Sequence, residues 1–158
     1  MEGPARDWPS LMVDDWTATR DTLHMWVQIV GKIRMVHMPL LNHWWQVTFY
    51  VSPRGLASGS VPYRNALFDM EFDFVRHRLT IRHSDGRHEA VSLVARPVAE
   101  FYGETLSALD RLGIQTHIVG KPNEVDPAIP FAEDYQHANT IPMRRGPSGS
   151  NSCRHTAS

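Results

Sequence analysis

The chain has 158 residues, a formal net charge of −1 and a pI near 6.7. This length fits one domain with its own core, and the balanced charge excludes a general attraction to nucleic acid or to a membrane surface. The single cysteine, Cys153, excludes disulfide stapling and a zinc site built on several cysteines; with no apolar signal core and no membrane-length apolar run, we expect a cytoplasmic protein.

The first predicted element is a long amphipathic helix over residues 15–34. Asp14 and Asp15 suit a helix N-terminus because their carboxylates favour its positive end. Apolar residues from Trp16 to Ile33 recur at helical spacing, and Pro39 prevents continuation of the helix.

The middle of the chain alternates as β-strands do. Residues 44–51 alternate in hydrophobicity and predict a strand, which ends at the turn signal of residues 52–55. Pro62 restricts the short strand around it to a sheet edge or a bulge.

The next two strands form a predicted hairpin with two distinct faces. One face carries Phe68, Met70, Phe72 and Phe74, and the other carries Asp69, Glu71 and Asp73. A two-residue turn at Arg76 and His77 would pair Phe74 with Leu79, Phe72 with Ile81, and Glu71 with Arg82. We therefore interpret the acidic face as a solvated ladder of cross-strand charges with Arg78 and Arg82.

The remaining elements complete an α+β fold. A three-residue loop at Asp85-Gly86 keeps Val91 and Leu93 beside Ile81 and Leu79. A helix over residues 97–112 opens at Pro97 and stops at Gly113, and residues 114–118 form a last strand. We predict a single domain over residues 14–137, an antiparallel sheet covered by the two helices, between a flexible leader (1–13) and a disordered tail (138–158).

The region around the tandem tryptophans is the first candidate site. Lys32, His37 and His43 flank Trp44 and Trp45, and cations beside aromatic walls suit an anionic or planar ligand. With Arg54 from the following turn, the predicted ligand-binding set is Lys32, His43, Trp44, Trp45 and Arg54. The structural alternative is a helix-end lysine, a loop histidine, and a His43 bonded to backbone.

A metal site is the second candidate. Asp134 and His137 share a face on a helical turn, and with His37 and His43 they offer imidazole and carboxylate ligands for a divalent metal. The structural alternative is an aspartate that orients a histidine, or a helix cap. The sequence contains no P-loop, no His-Glu-x-x-His motif and no Gly-x-Ser-x-Gly elbow.

Many short motifs in order resemble those of an uncharacterised bacterial family, domain of unknown function 5996. The resemblance covers residues 16–138 and rests on residues 22–24, 28, 31–34, 39, 42–45, 54–56, 72–74, 77, 79, 85–86, 98–102, 112–114, 130–131, 134 and 137. It implies no known activity, cofactor or site, but it implies a longer protein with a second half beyond His137.

The sequence departs from that family after Ala138. One choice of codons for residues 138–158, read in a shifted frame, encodes a string with the Phe-Trp pair that the family carries there. The tail is therefore interpreted as a frameshift product, the alternative being a genuine short variant. Loss of a second half would expose apolar surface, so we expect self-association and a protease-sensitive tail.

Two classes of function follow from these features. The favoured one is a cytoplasmic small-molecule-binding or protein-binding domain without catalysis, which uses the Trp44 and Trp45 region. The alternative is a metal-assisted enzyme that uses His37, His43, Asp134 and His137. The sequence names no cofactor, and neither nucleic acid nor a membrane is an expected partner.

Overall fold

The computed structural model describes residues 13–139, apart from the side chain of Asp15. Within this range the chain forms two α-helices, six β-strands and two short 3-10 helices. In chain order these are α1 (Val13–His37), the first 3-10 helix (Asn42–Val47), β1 (Tyr50–Ser52), β2 (Gly55–Ala57), β3 (Val61–Tyr63), β4 (Ala66–Asp73), β5 (Arg78–His83), β6 (His88–Ser92), α2 (Val98–Arg111) and the second 3-10 helix (Phe131–Glu133).

All six strands form one antiparallel sheet in the order β1-β2-β4-β5-β6. The strand β3 also pairs with β4, so β2 and β3 lie end to end along one edge of β4. Ser58 stands at the break between them, where its backbone N–H donates to the Met70 carbonyl and its Oγ accepts from the Met70 N–H. As predicted, Pro62 lies on an edge strand.

Both helices pack on one face of the sheet, which confirms the predicted α+β fold. The apolar side of α1 and that of α2 meet over β4, where Trp26 stacks on Phe101 at 4.8 Å and Phe101 stacks on Phe72 at 6.5 Å. All three side chains are fully buried. The two predicted helices are confirmed, with α1 extended to residues 13–37 and α2 at 98–111.

The predicted register of the β4–β5 hairpin is wrong by two residues, although its two faces are correct. Leu79 lies opposite Phe72 and Arg82 lies opposite Asp69. The Asp73 carboxylate accepts hydrogen bonds from the N–H groups of Val75 and Arg76. These bonds fix a four-residue loop over residues 74–77, because they turn the chain immediately after Asp73.

The loop between β5 and β6 has the predicted three residues. His83 donates its N–H to the Arg87 carbonyl at 2.9 Å, which closes a loop of residues 84–86 around Gly86. Val91 and Leu93 are fully buried on the inner face, and Val91 lies opposite Leu79. The loop length therefore sets the face that each residue of β6 presents.

Two predicted strand segments are wrong. Residues 44–47 lie in the first 3-10 helix, and of the predicted strand only residues 50 and 51 join the sheet, in β1. Residues 114–118 belong to no strand of the described chain. They run beside the core instead, with Ile114 buried and the Thr116 hydroxyl bonded to His37.

The outer face of the sheet carries ion pairs, as predicted, but its carboxylates are less solvated than expected. Arg82 bonds both Asp69 and Glu71, and Arg54 pairs with Asp73. Glu71 and Asp73 are 9% and 3% exposed, because neighbouring side chains on the same face cover them. The ladder is therefore a partly buried charge network.

The proposed leader, tail and frameshift junction involve residues outside the described range, apart from Val13, Ala138 and Asn139. The domain limits of 14 and 137 and the expected self-association stay predictions.

Candidate functional site

One side of α1 lines a groove that the core does not fill. His24, Gln28 and Lys32 follow one another at intervals of four residues, with Gly31 and Met35 on the same side. The residues of α1 that enter the core lie between them: Met25, Trp26, Ile29, Val30 and Ile33. The helical period therefore presents a mixed polar and apolar wall to the groove.

The second wall comes from the extended segment after α2. The Asn123 N–H donates to Gln28 Oε1 at 2.7 Å, and Gln28 Nε2 donates to the Asn123 carbonyl at 3.0 Å. Gln28 Nε2 also lies 3.2 Å from His24 Nε2. The side-chain amide of Gln28 thus matches the backbone of Asn123 as a peptide group would, and holds this segment against α1.

The third wall is the first 3-10 helix, which two hydrogen bonds at its ends hold in place. Gln46 is 1% exposed, and its Oε1 accepts from the Leu41 N–H at 3.1 Å. The buried guanidinium of Arg34 on α1 bonds the Thr48 carbonyl at the other end of this helix. A buried amide and a buried guanidinium therefore fix the segment that carries the two tryptophans.

The backbone at His43 and Trp44 is left-handed, with φ values of 53° and 61°. Residues with bulky side chains rarely adopt this conformation, and each such residue costs roughly 1–3 kcal/mol. Both adjacent indoles remain exposed, with 53% for Trp44 and 67% for Trp45. Only the Trp44 ring lines the groove.

The three walls border an open groove with a volume of about 560 Å³. Its lining consists of His24, Val27, Gln28, Gly31, Lys32, Met35, Trp44, Val47, Phe49, Asn123 and Glu124. A second depression of about 570 Å³ lies between the end of α2 and residues 114–117. We favour the first as the functional site because it combines an exposed aromatic ring with a nearly buried cation.

That cation is Lys32, which is 9% exposed. Its Nζ donates to Asn123 Oδ1 at 3.1 Å, and no carboxylate among residues 13–139 forms a salt bridge with it. Burial lowers the pKa of Lys32 below its usual value because the charged form loses hydration. The groove therefore holds an ammonium group whose charge the described residues leave unmatched.

The predicted ligand-binding residues divide into three groups. Lys32 and Trp44 line the groove, whereas His43 and Trp45 lie on the same 3-10 helix outside its lining. Arg54 follows β1 and pairs with the buried Asp73 on the sheet. The structure thus brings together two of the five predicted residues.

The four predicted metal ligands are not brought together. His37 Nε2 lies 2.8 Å from Thr116 Oγ1, and its ring packs edge-on against Tyr63 and Phe68. Asp134 is buried and lies 2.8 Å from His137 Nδ1, in a turn whose carbonyls accept from the first N–H groups of α2. Across residues 13–139 no group of three or more His, Cys, Asp or Glu is placed to hold a metal.

Sequence reasoning missed the polar residues that shape the groove. His24 and Gln28 stood out only as parts of the family-like motifs, and Glu124 carried no signal. Asn123 follows a Gly-Lys-Pro turn, which is typical of any loop. The helical interval of four from His24 through Gln28 to Lys32 was the available signal for a shared polar face.

Fold and groove together define an α+β domain with an open ligand-sized cavity beside its sheet. Residues 8–142 match the model of a family described as a family of unknown function, DUF5996, and the chain belongs to this family. No curated protein matches the chain, and no solved structure does. Over residues 13–139 neither α-helix combines the length and apolar character that crossing a membrane requires.

Proposed function

We propose that this protein is a small-molecule-binding domain without catalysis of its own, and that the groove between α1, the first 3-10 helix and residues 123–124 is its binding site. The observation that carries the proposal is the placement of Trp44 and Lys32 on one cavity. An exposed indole and a desolvated ammonium are both groups that gain contacts when a ligand fills the space between them.

The backbone of the first 3-10 helix supports this proposal. Left-handed residues other than glycine cluster at ligand sites, because surrounding structure must hold them there at a cost. Here the buried Gln46 and Arg34 hold the segment while Trp44 stays half exposed. Such an arrangement is typical of a ring held ready for a ligand.

The composition of the groove favours binding over reaction. Its lining contains no Ser, Thr or Cys side chain, so a hydroxyl or thiol nucleophile paired with a base is not available in these walls. A metal-assisted reaction has no support in the described residues: Asp134 and His137 bond each other, His37 bonds Thr116, and no group of three ligands is placed to hold a metal.

Nuclear magnetic resonance of ¹⁵N-labelled full-length protein tests the proposal. The indole N–H signals are assigned with single Trp→Phe variants and followed through a library of fragments. We expect fragments that bind to shift the Trp44 signal, and Trp44→Phe to weaken their binding about tenfold. Trp45→Phe is the matched control, since Trp45 lies outside the groove and should leave affinity unchanged. A library that never shifts the Trp44 signal would overturn the proposal.

A protein partner is the second candidate, because one short segment exposes four large apolar side chains. Leu40, Leu41, Trp44 and Trp45 are each about half exposed or more, and exposed apolar patches of this kind mark contact surfaces. We propose that the partner bound by this segment is a second copy of the same chain. Light scattering should then show dimers that Trp45→Ser abolishes, whereas a monomer at all concentrations would exclude it.

We also propose a cytoplasmic location, which the single cysteine in 158 residues supports. Cell fractionation of the native protein tests it, and recovery in an oxidising compartment would contradict it.

A further inference from the structure

The unmatched charge of Lys32 indicates what kind of molecule the groove takes. An ammonium carries three N–H donors, and only the bond to Asn123 Oδ1 occupies one of them among the described contacts. The neighbouring amide of Gln28 is engaged with the backbone of Asn123. A nearly buried cation is costly unless an anion pairs with it, so a ligand that brings the anion gains that interaction.

Glu124 narrows the class of anion. Its backbone is left-handed, with φ at 57°, and it lines the same groove without bonding Lys32. Lys32 can neutralise one negative charge, whereas the second charge of a dianion such as a phosphate monoester would face the Glu124 carboxylate without another lysine or arginine in the described lining. The pair Lys32 and Glu124 therefore favours a ligand with a single negative charge.

The rest of the cavity indicates an apolar body. Val27, Met35, Val47 and Phe49 line the same groove as the Trp44 ring and supply its apolar wall. A volume of about 560 Å³ lies within the range of small-molecule sites. A flat apolar group can then lie against the indole while its charged end reaches Lys32.

The identity of the cation fits a single-point contact. The chain uses arginine at 14 positions and lysine at only two, Lys32 and Lys121. Arginine presents a planar fork for two parallel bonds, whereas lysine is a compact point charge. A point charge therefore suits a ligand that presents one anionic group to the groove.

We infer that the ligand of this groove is a small apolar monocarboxylate, whose carboxylate pairs with Lys32 and whose body packs on Trp44. This inference rests on the proposed function and adds the ligand's chemistry to it.

Three probes that share a 3-phenylpropyl group test it: 4-phenylbutanoate, its neutral amide 4-phenylbutanamide, and the dianion 3-phenylpropyl phosphate. Each probe is titrated into the full chain and followed by nuclear magnetic resonance. We expect the carboxylate to bind at least about tenfold more tightly than either other probe, because a charge-assisted hydrogen bond contributes more than a neutral one. Lys32→Met should abolish the preference for the acid over the amide. Equal binding of acid and amide to the wild type would overturn the inference and leave the proposed function standing.

Amine labelling of the wild-type protein gives a readout that does not depend on how a variant folds. Acetylation by a water-soluble succinimidyl ester, followed by peptide mass spectrometry, reports on the two lysines separately from the N-terminal amine. We expect 4-phenylbutanoate to slow acetylation of Lys32 severalfold and to leave that of the exposed Lys121 unchanged. Unchanged labelling of Lys32 at a saturating probe concentration would contradict the inference. If, in addition, no fragment shifts the Trp44 signal, the proposed function fails with it.

Discussion

Gln28 and Asn123 join parts of the chain that lie 95 residues apart through two hydrogen bonds between a side-chain amide and a backbone peptide group. The same asparagine accepts from Lys32. One residue of the extended segment thus bonds two residues of the groove on α1, Gln28 and Lys32.

Replacement of Gln28 by alanine should loosen that segment. It removes both bonds to Asn123, and at a net 0.5–1.5 kcal/mol for each bond we expect the free energy of unfolding to fall by about 1–3 kcal/mol. Amide exchange at Asn123 should accelerate. Gln115→Ala is the control, because the described bond of Gln115 is donated by its backbone N–H to Tyr63 Oη and survives truncation of the side chain. Unchanged exchange at Asn123 would show that the bonds do not hold the segment.

Asp73 should matter more to stability than Asp69 on the same strand and face. Burial alone would raise the pKa of Asp73, but hydrogen bonds from Arg54, Arg76 and Val75 outweigh it and lower this pKa. We expect Asp73→Ala to reduce the free energy of unfolding by roughly 1–3 kcal/mol. Asp69→Ala should cost less than about 1 kcal/mol, since its pair with Arg82 is exposed.

Urea denaturation of both variants checks this difference. The contribution of Asp73 to the free energy of unfolding is fully present above the ordinary aspartate pKa of 3.8. It is lost as the pH falls from there through the lowered folded-state pKa. Equal losses for the two variants would contradict the distinction between a buried and an exposed carboxylate.

Gly55 should not tolerate a side chain. An added Cβ would lie 2.0 Å from the Phe72 carbonyl oxygen and 2.9 Å from the Phe74 ring. Gly55→Ala should therefore lower the free energy of unfolding by at least roughly 1–3 kcal/mol. Gly103 on α2 has nothing within 4 Å of an added Cβ. Gly103→Ala should therefore stabilise the protein by roughly 0.5–1 kcal/mol. In thermal melts we expect a lower Tm for Gly55→Ala and a higher Tm for Gly103→Ala.

His37 should make the protein less stable in mild acid. Burial lowers its pKa below the ordinary value of 6.5, where its ring packs against Tyr63 and Phe68. Between the lowered value and 6.5 the unfolded chain binds a proton that the folded chain does not, so the free energy of unfolding falls as the pH falls through this window. The stability of wild type relative to His37→Gln should decrease from pH about 7.5 to about 5. The exposed His88, replaced in the same way, is the control, and a constant difference for His37 would contradict the argument.

The fold was predictable in those elements where hydrophobic residues repeat at the helical or strand period and only one face is buried. Phe68, Met70 and Phe72 could face only the core, so the helices, the faces of β4 and β5 and the inward position of Val91 followed from the residues alone. The register did not follow, because the faces repeat every two residues and the Asp73 turn decides among equivalent pairings.

The candidate site was predictable only in part, for a similar reason. The sequence predicted Lys32 and Trp44 as a cation beside an aromatic ring, and both residues line the groove. Alternation in residues 44–51 indicated a strand, but the bond from Leu41 to the buried Gln46 amide curls the chain there instead. The partner of Gln28 was out of reach, because no local pattern connects residues so far apart in sequence.

The separation of Lys32 from Asn123 by 91 positions also bears on synthesis. A chain growing from its N-terminus makes α1 early, yet the residue that meets the lysine emerges only after the whole sheet and α2 have been translated. Until then the amine on α1 has neither its amide acceptor nor its second wall. The groove with its complete set of walls can therefore form only after residue 123 has been translated.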